Sequence, residues 1–185
     1  INYDKAPRIP TVHMGSRTTS YILRGVSTPK TSFDKAFRED HWFNISAIDV
    51  FDLTAKSIAI IGNSITDGKN STNNAQNRWP DILSESLQKK HGVTDVGILN
   101  LGIGNNRVTL TGGFGFMARK RFDHDILLQR GVRTVVIFEG VNDIGATPNN
   151  KVETVTNDLI QSYEEMIRKA KERNFRVFLG TISPF

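Results

Sequence analysis

Cysteine is absent from all 185 residues of this chain. Its absence excludes disulfide bonds, thiol nucleophiles and thiolate zinc sites. Long apolar runs are also missing: none approaches the ~20 residues that a helix needs to cross a bilayer, so we expect no membrane partner. The chain begins at Ile1 rather than methionine and shows no charged-then-apolar leader, so we expect a processed or cut form.

Neither the positive nor the negative charges are concentrated in one stretch of the chain. Lys and Arg number 24 against 19 Asp and Glu, a net charge of +5 at neutral pH. The densest basic groups, at 119–121 and 168–173, lie in helix-like stretches with acids nearby, so we interpret them as solvated helix faces and expect no nucleic-acid partner. The 38% hydrophobic content fits one globular domain with a smaller appendage.

The chain divides into two regions that differ in their pattern of predicted secondary structure. Residues 1–53 are turn-rich, with short β-prone pieces at 18–23 and 41–51, too short a region to enclose a core. We predict that this β-rich lead-in is the end of an accessory module. From residue 54 onward, strands alternate with helices, which indicates a parallel sheet with right-handed crossovers.

The second region, residues 54–185, predicts an α/β fold of the flavodoxin-like three-layer α/β/α type. We predict a strand order of 2-1-3-4, in a sheet that is incomplete because the chain stops after the fourth strand. The predicted strands are 57–61, 95–101, 133–138 and 175–181, and the predicted helices are 79–90, 116–129 and 152–173.

Three polar turns directly follow predicted strands. The first, in KSIAIIGNSITDG at 56–68, exposes the hydroxyl of Ser64, and the segments 100–108 and 138–145 have the same form. Because ligands bind at the carboxyl ends of strands in an open α/β sheet, we expect the three turns to converge on one crevice. Ser64 is therefore a candidate nucleophile.

Each turn also has a simpler interpretation. A serine between a strand and a helix commonly caps the helix. The first turn fails the G-x-S-x-G nucleophile pattern because Thr66 replaces the second glycine, and no phosphate loop follows. Asn142 is a common turn former, although a side-chain amide at this place can also donate to a developing oxyanion.

The second turn contains G-x-G, which invites a nucleotide-binding interpretation. Arg107 stands where the third glycine of G-x-G-x-x-G belongs, so that fingerprint fails. We expect Arg107 to be structural or to face a substrate, while the backbone amides of the turn remain available as oxyanion donors.

Together the three turns carry a family resemblance. GNSITDG, NLGIGNNRV and GVND resemble the first three sequence blocks of the SGNH, or GDSL-type, esterases and lipases. The segments 77–83 and 121–145 resemble the branch related to rhamnogalacturonan and xylan acetylesterases. The resemblance covers about residues 56–185, and 15–51 resembles the end of the β-rich region that precedes the hydrolase in that branch. Residues 54–185 are thus identified as the N-terminal part of an SGNH hydrolase domain.

The resemblance implies the role of each site residue. Ser64 is the nucleophile, and its backbone N–H is one oxyanion donor. Asn105 supplies the second donor through its backbone, at a place where the family usually has glycine; asparagine tolerates left-handed backbone angles better than most residues. The side chain of Asn142 is the third donor. No metal or organic cofactor is implied.

The family's D-x-x-H block, which supplies the catalytic histidine and aspartate, has no counterpart here. None of the four histidines has an aspartate three residues before it. We therefore expect an incomplete hydrolase, with Asp and His supplied by a second polypeptide or by a missing C-terminal segment.

The resemblance implies a serine-type, extracellular hydrolase. Its substrate is a small acyl ester or an acetylated carbohydrate. The alternative is a non-catalytic carbohydrate-binding or scaffold module with an incomplete active site. A flavodoxin-like nucleotide binder is a third alternative, which the failed glycine fingerprint disfavours.

Overall fold

The computed structural model describes residues 5, 7–25 and 32–182. The predicted division of the chain between residues 53 and 54 stays a prediction. Parts of both regions, at 1–4, 6, 26–31 and 183–185, lie outside the described residues.

Two short antiparallel strand pairs form the described part of the lead-in. Strand β1 (Val12–His13) pairs with β4 (Trp42–Phe43), and β2 (Ser20–Ile22) pairs with β3 (Phe37–Glu39). The β-prone piece at 18–23 therefore contains a strand. The expectation for 41–51 is wrong beyond Phe43, because residues 44–51 adopt no regular structure. Among the described residues no strand pairs with them, and β propensity alone does not form a strand.

A four-stranded parallel sheet follows, and it confirms the predicted topology. Its strands are β5 (Lys56–Gly62), β6 (Val96–Gly102), β7 (Val132–Phe138) and β8 (Arg176–Leu179). The spatial order is β6-β5-β7-β8, with every neighbouring pair parallel. This is the order 2-1-3-4, and it places β5 and β7 at the centre of the sheet.

Helices connect the strands of the sheet. They are α1 (Ser64–Asp67), α2 (Trp79–His91), α3 (Ala118–Phe122), α4 (Val141–Gly145) and α5 (Val152–Glu172). The predicted helix over 116–129 forms as α3 followed by a π-helical turn, Asp123–Leu127. Among the described helices, none combines the length and apolar character of a membrane span.

The core lies between the sheet and its helices. Ile60, Ile61, Val135 and Ile137 on the central strands are completely buried. The apolar side of α5 packs into one core with Ile61, Val135 and Ile137, together with residues from α3 and the π-helical turn. The central strands β5 and β7 are apolar and covered by helices, and each ends at a turn that carries a polar candidate residue.

Candidate active site

Ser64 lies at the first position of α1, directly beyond the end of β5. The cap of this helix is Asn63, whose backbone is extended and whose Oδ1 accepts a hydrogen bond from the N–H of Ile65 at 3.0 Å. The interpretation of Ser64 as the helix cap is therefore wrong. The half-buried Ser64 hydroxyl has no hydrogen-bond partner in the described part of the chain, so it is available for chemistry.

Asn105 lies in the turn that follows β6 and has a left-handed backbone, with φ of 54°. The turn closes through a 3.1 Å bond from the N–H of Asn106 to the carbonyl of Ile103. The N–H of Ile103 donates in turn to the carbonyl of Gly62 at 3.0 Å, which ties this turn to the end of β5. Within residues 7–25 and 32–182, no acceptor binds the N–H of Asn105.

Asn142 is the second residue of α4 and contacts the turn after β6. Its Nδ2 donates to the carbonyl of Asn106 at 2.9 Å. This bond uses one of the two amide hydrogens, and no described residue accepts the other. The structure therefore places the Asn142 carboxamide against the Asn106–Arg107 peptide.

The first turn neighbours the other two. Gly62 pairs with Gly102 on β6 and with Phe138 on β7, so all three turns leave one edge of the sheet side by side. Gly102 carries no side chain where the end of β6 approaches α1, and a Cβ there would meet the backbone of Asp67. A small crevice separates the first turn from the third; it is lined by Asn63, Ile65, Phe138, Glu139, Val141 and Ile182.

Asp143 connects the third turn to residues 108–110, at the end of the second turn and just after it. Its carboxylate is fully buried and accepts hydrogen bonds from the N–H groups of Val108, Thr109 and Leu110 at 2.8, 2.9 and 3.1 Å. The hydroxyl of Thr109 donates to the same carboxylate at 3.0 Å. The sequence indicated only an Asn-Asp turn, because the partners lie more than thirty residues away in the chain.

The sequence predicted the environment of Arg107 correctly and that of Arg121 wrongly. Arg107 is structural, one of its two expected roles, since its Nη1 donates to the carbonyl of Thr111 at 2.7 Å within the same loop. The interpretation of 119–121 as a solvated helix face is wrong for Arg121, which is only 5% exposed and faces the turns. Its neighbour Lys120 is exposed, as expected.

Glu139 is a buried acid at the end of β7. It is 2% exposed, and neither carboxylate oxygen has a hydrogen-bond partner among the described residues. Burial raises the pKa of Glu139 to about 8; the charge of Arg121, whose Nη2 lies 3.6 Å from Oε1, opposes this shift, and the charge of Asp143 adds to it. Glu139 is therefore mostly protonated near neutral pH.

Gly140, between Glu139 and α4, has a left-handed backbone with φ of 114°. In the structure the close neighbour is Tyr163, because a Cβ on Gly140 would meet its hydroxyl. That hydroxyl donates to the carbonyl of Glu139 at 3.0 Å.

The described histidine contacts do not involve Ser64. His13 of the lead-in lies with Nε2 2.5 Å from Oδ1 of Asp67, the last residue of α1, and His124 contacts Asp125. The sequence gave no signal for the pair of His13 and Asp67, which lie far apart in the chain. No group of three or more His, Asp or Glu within the described ranges could hold a metal ion.

Comparison with known proteins reveals the relatives of the sheet and its turns. Residues 60–185, more than half of the chain, match the family model of the GDSL-like lipase/acylhydrolase family. No curated protein matches the chain in sequence.

Several solved structures share the fold. AlinE4, an SGNH-hydrolase family esterase, superposes with a TM-score of 0.54 at 18% identity, covering 70% of this chain and 61% of its own. The acetyl xylan esterase AlAXEase gives 0.50 at 24% identity, covering 66% and 56%. A catalytic mutant of Axe2, an acetylxylan esterase from Geobacillus stearothermophilus, gives 0.51 at 17% identity, covering 68% and 59%.

This chain therefore spans about three fifths of the length of these esterases. At such low identities the superpositions show a common fold, and the sequence match shows the family. The common fold agrees with the strand order of the sheet. The chain belongs to the GDSL-like lipase/acylhydrolase family.

Proposed function

We propose that this chain carries the nucleophile and the oxyanion donors of a serine-type ester hydrolase that acts on acetyl esters of carbohydrate. The observation that carries the proposal is a set of unpaired groups at one sheet edge. The Ser64 hydroxyl, the N–H groups of Ser64 and Asn105, and one amide hydrogen of Asn142 all lack partners in the described part of the chain. Buried and half-buried polar groups are normally paired, so such a cluster is typical of a site that receives a ligand.

The chemistry follows from these groups. Oγ of Ser64 attacks the acyl carbonyl and forms a tetrahedral intermediate, whose oxygen carries the negative charge. The three N–H donors stabilise that oxyanion, and loss of one such donor costs about 3–4 kcal/mol in other serine hydrolases. Collapse of the intermediate expels the sugar hydroxyl and leaves an acyl group on Ser64, which water then removes as a carboxylic acid. The sequence of steps requires no metal or organic cofactor.

A base must accept the Ser64 proton and return it to the leaving sugar oxygen. We propose that a histidine outside these residues does so, oriented by an aspartate, and that a second polypeptide or a further segment of the protein supplies both. The "complete form" below means these residues together with that supplier. The acetyl-carbohydrate substrate is favoured by the similarity to AlAXEase and Axe2, which are acetyl xylan esterases. An extracellular location is part of the same proposal.

A non-catalytic carbohydrate-binding module is the second candidate. The observation that favours it is that none of the described histidine contacts reaches Ser64. The two candidates differ in turnover, because a binding module retains an acetylated sugar without releasing acetate.

Hydrolysis of p-nitrophenyl acetate and of acetylated xylo-oligosaccharides by the complete form tests the proposal. We expect Ser64→Ala to lower kcat by about 10⁵-fold or more, as removal of a catalytic serine does elsewhere. The matched control is Ser86→Ala on α2, whose hydroxyl has no described hydrogen bond and whose loss leaves kcat unchanged. We expect the 185-residue chain alone to be slower by orders of magnitude. Turnover that survives Ser64→Ala contradicts the proposal, and binding without hydrolysis supports the second candidate.

A further inference from the structure

Arg121, at the end of α3, lies beneath the three turns. A guanidinium carries five N–H donors in a rigid planar fork. The Arg121 side chain is 5% exposed, so these donors cannot be satisfied by bulk water. Their hydrogen-bond partners come from the first two turns and from the π-helical turn that follows α3.

The contacts divide among the nitrogens of the fork. Nε donates to Oδ1 of Asn106 at 3.1 Å, and Nη1 donates to the carbonyl of Leu101 at 2.9 Å. Nη1 also donates to Oδ2 of Asp125 at 2.9 Å. Nη2 donates to the carbonyl of Gly62 at 3.3 Å and lies 3.6 Å from Oε1 of Glu139.

These partners are the residues that place the oxyanion donors. Gly62 lies two residues before Ser64, and Asn106 directly follows Asn105. Besides accepting from Arg121, Asn106 holds the loop beyond the turn. Its Nδ2 donates to the carbonyls of Phe114 and Phe116 at 2.7 and 2.9 Å. One guanidinium thus fixes the first turn relative to the second.

Charge explains why an arginine can be buried here. The Asp125 carboxylate offsets the positive charge at hydrogen-bond distance. A lysine at this position would have three donors around one nitrogen and could not reach the same partners at once.

We propose that Arg121 is a positioning residue for the oxyanion hole, which it holds in shape by binding Gly62, Leu101 and Asn106 together. The role of Arg121 in catalysis rests on the proposed function, because Arg121 acts through the oxyanion donors and touches no reacting atom. Stabilisation of an oxyanion depends on donors held about 3 Å from the developing charge, so a small displacement of one turn is costly.

The test compares Arg121→Gln and Arg121→Lys with Lys120→Gln, which removes the same charge from the exposed side of the same helix. Steady-state kinetics of the complete form on p-nitrophenyl acetate separate kcat from KM. We expect Arg121→Gln to lower kcat about 100-fold with KM within about 3-fold of wild type, because the loss falls on transition-state stabilisation. Arg121→Lys restores part of kcat, and Lys120→Gln leaves both constants unchanged.

Hydrogen exchange of the backbone amides provides a second readout that does not depend on activity. We expect Arg121→Gln and Arg121→Lys to raise exchange at 62–65 and 101–107 by about 10-fold, with β7 and α5 unchanged in folded protein. Equal exchange in wild type and both variants overturns the inference, and so does a loss confined to KM. If wild type shows no turnover, the proposed function fails, while the exchange measurement still decides whether Arg121 fixes the turns.

Discussion

The lead-in and the sheet edge both rely on polar contacts, but they place these contacts in opposite environments. In the lead-in, exposed groups bond to the loop before α2, as in the 2.8 Å bond from the backbone N–H of Thr19 to Oδ1 of Asn74. Large apolar groups there remain open to solvent, with Tyr21 at 51% and Phe37 at 63% exposure. At the sheet edge the bonding groups are buried or half-buried.

The difference lies in what a lost bond costs. Water replaces a missing partner on an exposed surface, whereas a buried group left without a partner retains its full desolvation penalty. Contacts of similar geometry therefore contribute unequally, and the buried ones determine the shape of the candidate site. Paired substitutions, one in each region, test this difference.

The largest expected difference is between two aspartates that each accept several hydrogen bonds. Asp143→Ala leaves three buried N–H groups unpaired, and we expect a loss of about 5 kcal/mol in the free energy of unfolding. Asp40→Ala in the lead-in removes exposed bonds to Thr19 and Asn73, and we expect a change within about 0.5 kcal/mol. Urea unfolding of both variants measures the pair. Equal losses would show that the two environments do not differ as described.

The next difference concerns pH, and it compares buried Glu139 with exposed Asp52. The raised folded-state pKa of Glu139, about 8 against an ordinary 4.5, gives stability that is complete below pH 4.5 and is lost as pH rises to 8. Glu139→Gln removes this loss, so we expect the variant to gain on wild type by about 1.4 kcal/mol per pH unit across that window.

Asp52 is the control for this pH measurement. Backbone and hydroxyl hydrogen bonds from Thr54 lower the pKa of Asp52 from its ordinary value of 3.8. The contribution of Asp52 to stability is therefore lost only below this pH, outside the measured window. Thermal or urea unfolding from pH 4.5 to 8 should therefore give parallel curves for wild type and Asp52→Asn. A Glu139→Gln curve that also runs parallel to wild type would refute the buried, protonated state of Glu139.

The smallest of the three differences lies between two asparagines and concerns rate rather than stability. Asn142→Ala removes a proposed oxyanion donor, and we expect kcat of the complete form to fall by about 100-fold to 1,000-fold, equivalent to about 3–4 kcal/mol. Asn73→Ala removes a bond from Nδ2 to Asp40 at the lead-in contact and should leave kcat unchanged. Steady-state hydrolysis of p-nitrophenyl acetate compares the two. An Asn142→Ala enzyme with wild-type kcat would exclude this side chain from the oxyanion hole.

Local signals predicted most of the fold. The apolar run at 57–61 and the alternation that follows it predicted the central strand and the strand order, and α2 begins at Trp79 as predicted. Residues 44–51 did not form a strand because pairing partners are a property of the whole fold. The π-helical turn after α3 likewise has no local signature that we could identify.

The site was predictable where a turn follows a strand and unpredictable where distant residues meet. The strand ends predicted that Ser64, Asn105 and Asn142 lie in turns at one end of the sheet, and their catalytic roles stay predictions. The left-handed backbone of Asn105 matches the tolerance expected of asparagine. The burial of Arg121 could not be read from its basic neighbours, because its partners lie up to 59 residues away. The capping role of Asn63 was missed since serine is an equally good cap.

The most direct test of the account is to locate the nucleophile chemically. A fluorophosphonate reacts with an activated serine when Oγ attacks phosphorus and fluoride leaves, and the adduct can be mapped by mass spectrometry of peptides from the complete form. The account predicts an adduct on Ser64 and none in the Ser64→Ala variant. An adduct on another serine, or equal labelling of wild type and Ser64→Ala, would contradict it.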